Sequence, residues 1–232
     1  MATDFYKHIF LDKSAVKSPY TAQGQPIKHR LPIRERIPHS EKLHQALVTA
    51  WELAKTESEE RNAISLPSRN GVYLQFESAP DSELITKSLE NIKSDIRLLS
   101  VRLEAETNTT IATVHIPKGQ ENYFIEKVQD YKEKNIPVSG KPKNQPLIDS
   151  IENIRLALLI SFWFDDEDLI PGKESVWCEA WLCRDDNETT ERFCSLCCQL
   201  GILYKEDCLL QFPERTVILI KASTMDLTNL IS

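Results

Sequence analysis

The chain has 232 residues, enough for one large domain or two small ones with a core of their own. At 41% hydrophobic and 27% charged residues it has neither a disordered nor a membrane composition. The net charge of -7 disfavours a phosphate-backbone binder, which presents a basic face.

Residues 1–39 read as an extended arm punctuated by Pro19, Pro26, Pro32 and Pro38. It gathers the basic residues Lys7, Lys13, Lys17, Lys28, Arg30, Arg34 and Arg36, and is the one stretch left open to an anionic partner. Its apolar residues Phe5, Tyr6, Ile9, Phe10 and Leu11 either anchor it to a body or decorate a mobile tail. No apolar segment follows the first basic residues, so no secretion signal is visible. The longest apolar run, Leu156 to Phe164, is too short for a bilayer. These features predict a cytoplasmic chain without a membrane partner.

A helix is predicted from an N-cap at Ser40, with Leu43, Leu47, Ala50, Trp51 and Ala54 as its apolar stripe, closed by Pro67 and Gly71. Val72 to Glu77 alternates as a strand, with Val72, Leu74 and Phe76 on one face and Tyr73 and Gln75 on the other. Asp81 or Ser82 can cap a helix through Asn91 that carries Leu84, Ile85, Leu89 and Ile92. Ile96–Glu104 and Thr110–Ile116 form a hairpin about Thr107-Asn108-Thr109, and Glu121–Lys134 is a helix with Phe124, Val128 and Tyr131 inward. This βαββα order lacks one strand of a ferredoxin-like unit.

After a Pro/Gly/Lys-rich connector from Pro137, a helix is predicted from Pro146 through Trp163, with Leu147, Ile151, Ile154 and Leu158 as its seam, buried between two layers. The last third repeats the theme. It has a strand Val176–Arg184, a helix Glu188–Leu200 ended by Gly201, strands Leu209–Phe212 and Thr216–Lys221, and a final helix Asp226–Ile231 capped by Ser223 or Thr224. A closing strand would be expected just beyond. The fold class is therefore α+β: two ferredoxin-like-type βαββα units joined by a central buried helix, preceded by an extended arm and a helix. The organisation is a 1–39 arm, a 40–136 helix plus first unit, and a 137–232 connector, central helix and second unit.

Candidate chemistry is sparse. Cys178-x4-Cys183 and Cys194-x2-Cys197 suggest zinc, but two cysteines five apart on a strand point to opposite faces and cannot share an ion. Cys194, Cys197 and Cys198 sit at helical spacing beside Phe193, Leu196 and Leu200, as buried reduced thiols do. No metal and no cofactor are expected. His115 reads as structural, His39 and His44 as solvated residues flanking the first helix, and Asp165-Asp166-Glu167-Asp168 as a solvated loop. No Gly-x-Ser-x-Gly elbow or phosphate-cradling glycine loop occurs.

Several segments keep a shared order: His8-Ile9-Phe10-Leu11, Arg34-Glu35-Arg36, Gly71 through Ser78, Gly140 through Asn144, Ile151 through Ala157, and Phe212 through Val217. Together they resemble the N-terminal region of bacterial intracellular subtilisin-like serine peptidases, proteins often encoded beside an AAA-type ATPase. The family's catalytic motifs, Asp-Ser/Thr-Gly, His-Gly-Thr and Gly-Thr-Ser-Met, are missing, and Ser223-Thr224-Met225 lacks the Gly-Thr lead. The resemblance therefore implies a non-catalytic module that covers, chaperones or positions a peptidase domain, and carries over no catalytic residue. Alternatives are an adaptor docking a companion AAA-type ATPase and a stand-alone hydrolase.

In a subtilisin pro-region the sheet face packs on the enzyme. Here that face would carry Trp177, Glu179 and Trp181, the candidate partner contact. The plainer alternative, favoured on sequence alone, buries both tryptophans under the Ile151–Phe162 helix.

Overall fold

The computed structural model describes residues 31–63, 71–183 and 188–231. Most of the arm, Pro67 and Arg184 lie outside the described residues.

The first helix, α1 (Arg36–Ala63), starts a turn before the predicted cap. Pro38 is tolerated because first-turn N–H groups need no intrahelical acceptor, and the His39 N–H opens the ladder on the Glu35 carbonyl at 3.0 Å. Ser40 is therefore buried inside the helix and donates to the Ile37 carbonyl at 2.8 Å instead of capping. Leu43, Leu47, Ala50 and Ala54 are buried along one stripe.

Three strands follow: β1 (Val72–Glu77), β2 (Arg97–Glu104) and β3 (Thr109–Ile116). Gly71 leads into β1 at φ +130°, where a Cβ would sit 2.3 Å from the Ile116 carbonyl oxygen. The helix expected from Asp81 to Asn91 does not form. Asp81 takes a left-handed φ of 56°, and two 3-10 turns, Thr86–Ser88 and Ile92–Ser94, follow. Leu84 and Leu89 still reach the core, but Ile92 is exposed. The Ile85 N–H goes to the Ser150 hydroxyl at 3.2 Å, a partner that a helix would not need.

Helix α2 (Asn122–Glu133) buries Phe124, Val128 and Tyr131 as expected. The long helix from Pro146 to Trp163 is replaced by three elements: a short helix α3 (Gln145–Ser150), a strand β4 (Asn153–Leu156) and a 3-10 turn at Leu159–Phe162. Ile151, Ile154 and Leu156 are buried in the first core, and Leu158 is 58% exposed. Strand β4 pairs antiparallel with β1, and the flanking bonds Glu152 N–H to Glu77 O (2.7 Å) and Ala157 N–H to Tyr73 O (2.9 Å) continue the ladder. Residues 153–156 thus join the first unit and supply the strand that the sequence pattern left out. The sheet order is β2-β3-β1-β4, all antiparallel.

Helices α1 and α2 cover one face of this sheet. The turn at 159–162 covers the other. There Gln75 and Thr113 are fully buried, Ser161 contacts the Gln75 amide oxygen, the Thr113 hydroxyl donates to Ser161 O at 3.3 Å, and Phe162 meets Tyr73 edge-on at 5.1 Å.

The second sheet holds β5 (Val176–Cys183), β6 (Leu203–Gln211) and β7 (Arg215–Ala222) in the order β5-β7-β6, also antiparallel. Helix α4 (Thr189–Leu200) ends on Gly201 at φ 71°, whose N–H bonds Cys198 O at 3.2 Å. Helix α5 (Thr224–Ile231) is capped by Ser223, which exchanges bonds with the Asp226 carboxylate and N–H. A second core forms around Cys197, Ile202, Ile218, Ile220, Ala222 and Leu227. Arg61 reaches the Asn229 carbonyl at 3.0 Å, and Arg215 reaches Leu99 O at 3.0 Å, so both sheets are tied together. Among the described residues no helix is long and apolar enough to cross a membrane.

Candidate protein-docking face

Strand β5 alternates cleanly. Cys178, Ala180 and Leu182 pack into the second core, while Trp177, Glu179 and Trp181 stand on the other face. In register on β7 lie Lys221, Leu219 and Val217, and beyond them on β6 lie Leu203, Lys205 and Leu210. No element covers this face among the described residues: Trp177 is 46% and Trp181 59% exposed, and Leu203 and Leu210 are exposed as well. The Ile151–Phe162 helix expected to bury the tryptophans does not form; Leu159 from that segment, and Trp163 after it, pack on the opposite side, against the core.

The aromatic groups are held in place. Trp181 stacks on Phe212, centroids 6.1 Å apart and planes 4° from parallel, and its Nε1 donates to Glu179 Oε2 at 3.0 Å. The Lys205 ammonium lies 4.9 Å from the Trp177 ring centroid. Preset rotamers reduce the entropy lost on binding. The face can bury a large apolar surface against a partner, and Glu179, Lys205 and Lys221 can fix its orientation.

The other polar residues form structural knots. Tyr131 donates to Asp149 at 2.7 Å, Arg34 pairs with Glu152 at 2.5 Å, and Arg36 bonds the Tyr131 carbonyl at 2.6 Å. His39, expected in solvent, is buried among them and its Nε2 donates to Ile148 O at 2.9 Å. Its surroundings were illegible because its bonding partner, Ile148 of α3, lies 109 residues further along the chain. Burial lowers the His39 pKa, with Arg34 adding to it, against the opposing pull of Ile148 O, Asp149 and Glu152. Burial opposes ionisation of Glu152, yet Lys42 and Arg34 outweigh it and lower its pKa. Burial and the Asp149 carboxylate raise the Tyr131 pKa, so the phenol stays protonated. In the cluster Tyr131 and Asp149 are bonded to each other, and Glu152 is paired with Arg34 and Lys42.

All six cysteines are free thiols. Burial pushes Cys197 up to about 12, and burial also raises Cys178 and Cys194, which makes them poor nucleophiles. His115 packs on Tyr73 with the rings tilted at 46° and centroids 5.2 Å apart, and Asp165 to Asp168 are exposed, the last two in a 3-10 turn at Glu167–Leu169. No family model matches the chain, and no curated protein matches it in sequence.

Proposed function

We propose that the chain is a non-catalytic docking module, which binds a subtilisin-like peptidase domain through the outer face of the second sheet and covers or positions it. The observation that carries this reading is the exposed pair Trp177 and Trp181, set on a sheet whose other face packs against the second core. Aromatic anchors of this kind dominate interface energetics. The peptidase as partner rests on the sequence resemblance and on the β5-α4-β6-β7-α5 order, which is that of a pro-region without its last strand. Free thiols are in keeping with a cytoplasmic setting.

The test is to mix the chain with a subtilisin-like peptidase domain from the same genome and to measure both binding and peptide turnover. Binding that is lost in a Trp177→Ala, Trp181→Ala variant supports the reading. No binding at tens of micromolar, about 6 kcal/mol of missing affinity, rejects it and brings forward an adaptor for a companion AAA-type ATPase.

A further inference from the structure

A sheet edge offers unpaired N–H and C=O groups to any passing strand, and proteins blunt edges with bulges, charges, brevity or cover. Three of the four edges in this fold are blunted. Strand β2 breaks register between Leu98 and Ser100 and carries Arg97, Arg102 and Glu104. Strand β4 is four residues long, and α1 packs on it. Strand β6 breaks register between Lys205 and Leu210 around Glu206 and Asp207.

Among the described residues strand β5 has no bulge, brevity or cover, and a single charge. It runs eight residues in unbroken register with β7, without proline, as Val-Trp-Cys-Glu-Ala-Trp-Leu-Cys. Its one charge, Glu179, is engaged by Trp181. Among the described residues no strand pairs with its outer side. In the first sheet the matching position beside β1 is filled by β4, antiparallel, over Leu74–Glu77.

The surroundings of the edge select an occupant. Residues 163–183 hold six carboxylates, at Asp165, Asp166, Glu167, Asp168, Glu174 and Glu179, against the single Lys173. The acidic loop is seated on the second unit at both ends: Trp163 packs on the core and bonds Asp166 O at 3.0 Å, and the Thr224 N–H bonds Gly172 O at 3.1 Å. Asp165 is close enough to β5 to add, after burial, to the raised pKa of Cys178.

We propose that the outer edge of β5 binds an extended, lysine- or arginine-bearing segment of another protein by antiparallel strand addition, completing a four-stranded sheet. Main-chain bonds give the affinity, and the carboxylates give the preference for basic residues. A second copy of β5 is a poor occupant because that strand carries no lysine or arginine and its one charge, Glu179, is itself acidic. The edge and the tryptophan face are separate surfaces, so this proposal stands whether or not the partner is a peptidase.

The experiment uses the full chain and hydrogen exchange of residues 176–183. Three probes are compared: the peptide acetyl-Lys-Val-Thr-Val-Lys-Val-Thr-Val-amide, its Glu-for-Lys counterpart, and a fully N-methylated form that keeps the side chains but lacks amide donors. The lysine peptide is expected to slow exchange of β5 amides about fivefold or more and to saturate. The glutamate peptide should need at least about tenfold higher concentration, equivalent to 1.4 kcal/mol. The N-methylated form should have no effect, and an Asp165→Lys, Asp166→Lys variant should lose the preference for lysine. No protection at ~1 mM lysine peptide, or equal protection by the N-methylated form, overturns the proposal. Protection of β5 without peptide, together with a concentration-dependent dimer in sedimentation, also overturns it and assigns the edge to a second copy.

Discussion

The two sheets share a strand order and differ in what covers them. In β2-β3-β1 and in β6-β7-β5 the first strand of each unit pairs with the third, and the second lies outside. The first sheet then gains β4, helices on one face and the 159–162 turn on the other, so that even Gln75 is sealed from solvent. Among the described residues the second sheet has helices on one face only, and two tryptophans and a long plain edge are left uncovered. Strand order sets the shape of each unit. The covering decides which of them has surface left to bind with.

The largest expected contrast lies in large-to-small changes. Phe76 is fully buried and packs on Phe124, centroids 4.9 Å apart, so Phe76→Ala should cost about 3–5 kcal/mol in urea unfolding. Trp181→Ala removes a larger side chain from the open face and should cost only about 1 kcal/mol, mostly from the Phe212 stack. Equal costs for the two would erase the distinction between the sheets.

A subtler difference is pH-dependent and belongs to the first unit. The lowered His39 pKa means that the unfolded chain takes up this proton more readily than the folded one. Stability from this site is complete above the ordinary histidine value of about 6.5 and falls as pH drops through it. The urea midpoint should decline from pH 7.5 to 5.5, and His39→Gln, which can still donate to Ile148 O, should flatten that slope. An unchanged slope would remove His39 from the account. The smallest effect is expected at Leu158→Ala. With the residue exposed on the link between β4 and the 159–162 turn, the change should stay below about 0.5 kcal/mol.

Much of the fold was legible where one periodicity runs through one element. The Leu43–Ala54 stripe, the β2–β3 hairpin, the α2 seam and the Gly201 stop all come from local pattern. Reading failed between 146 and 163, where apolar residues at three- and four-residue steps come from a short helix, a strand and a turn in succession. A helical period cannot be told from such a sum without knowing that β1 needs a partner on its free side. It failed between Asp81 and Asn91, where Asp81 takes a left-handed φ and the Ile85 N–H bonds the Ser150 hydroxyl from a distant part of the chain. For the site, strand parity placed Trp177, Glu179 and Trp181 together. Their exposure was not legible, since it depends on where Leu159 and Trp163 pack.

The most direct test of the open face is iodide quenching of tryptophan fluorescence in a Trp51→Phe, Trp163→Phe background, so that Trp177 and Trp181 report alone. The free chain should be strongly quenched. Saturation with a subtilisin-like peptidase domain should lower the quenching constant severalfold and shift the emission to the blue. Tryptophans already shielded in the free chain, or a peptidase domain that binds while the quenching constant stays the same, would contradict the account.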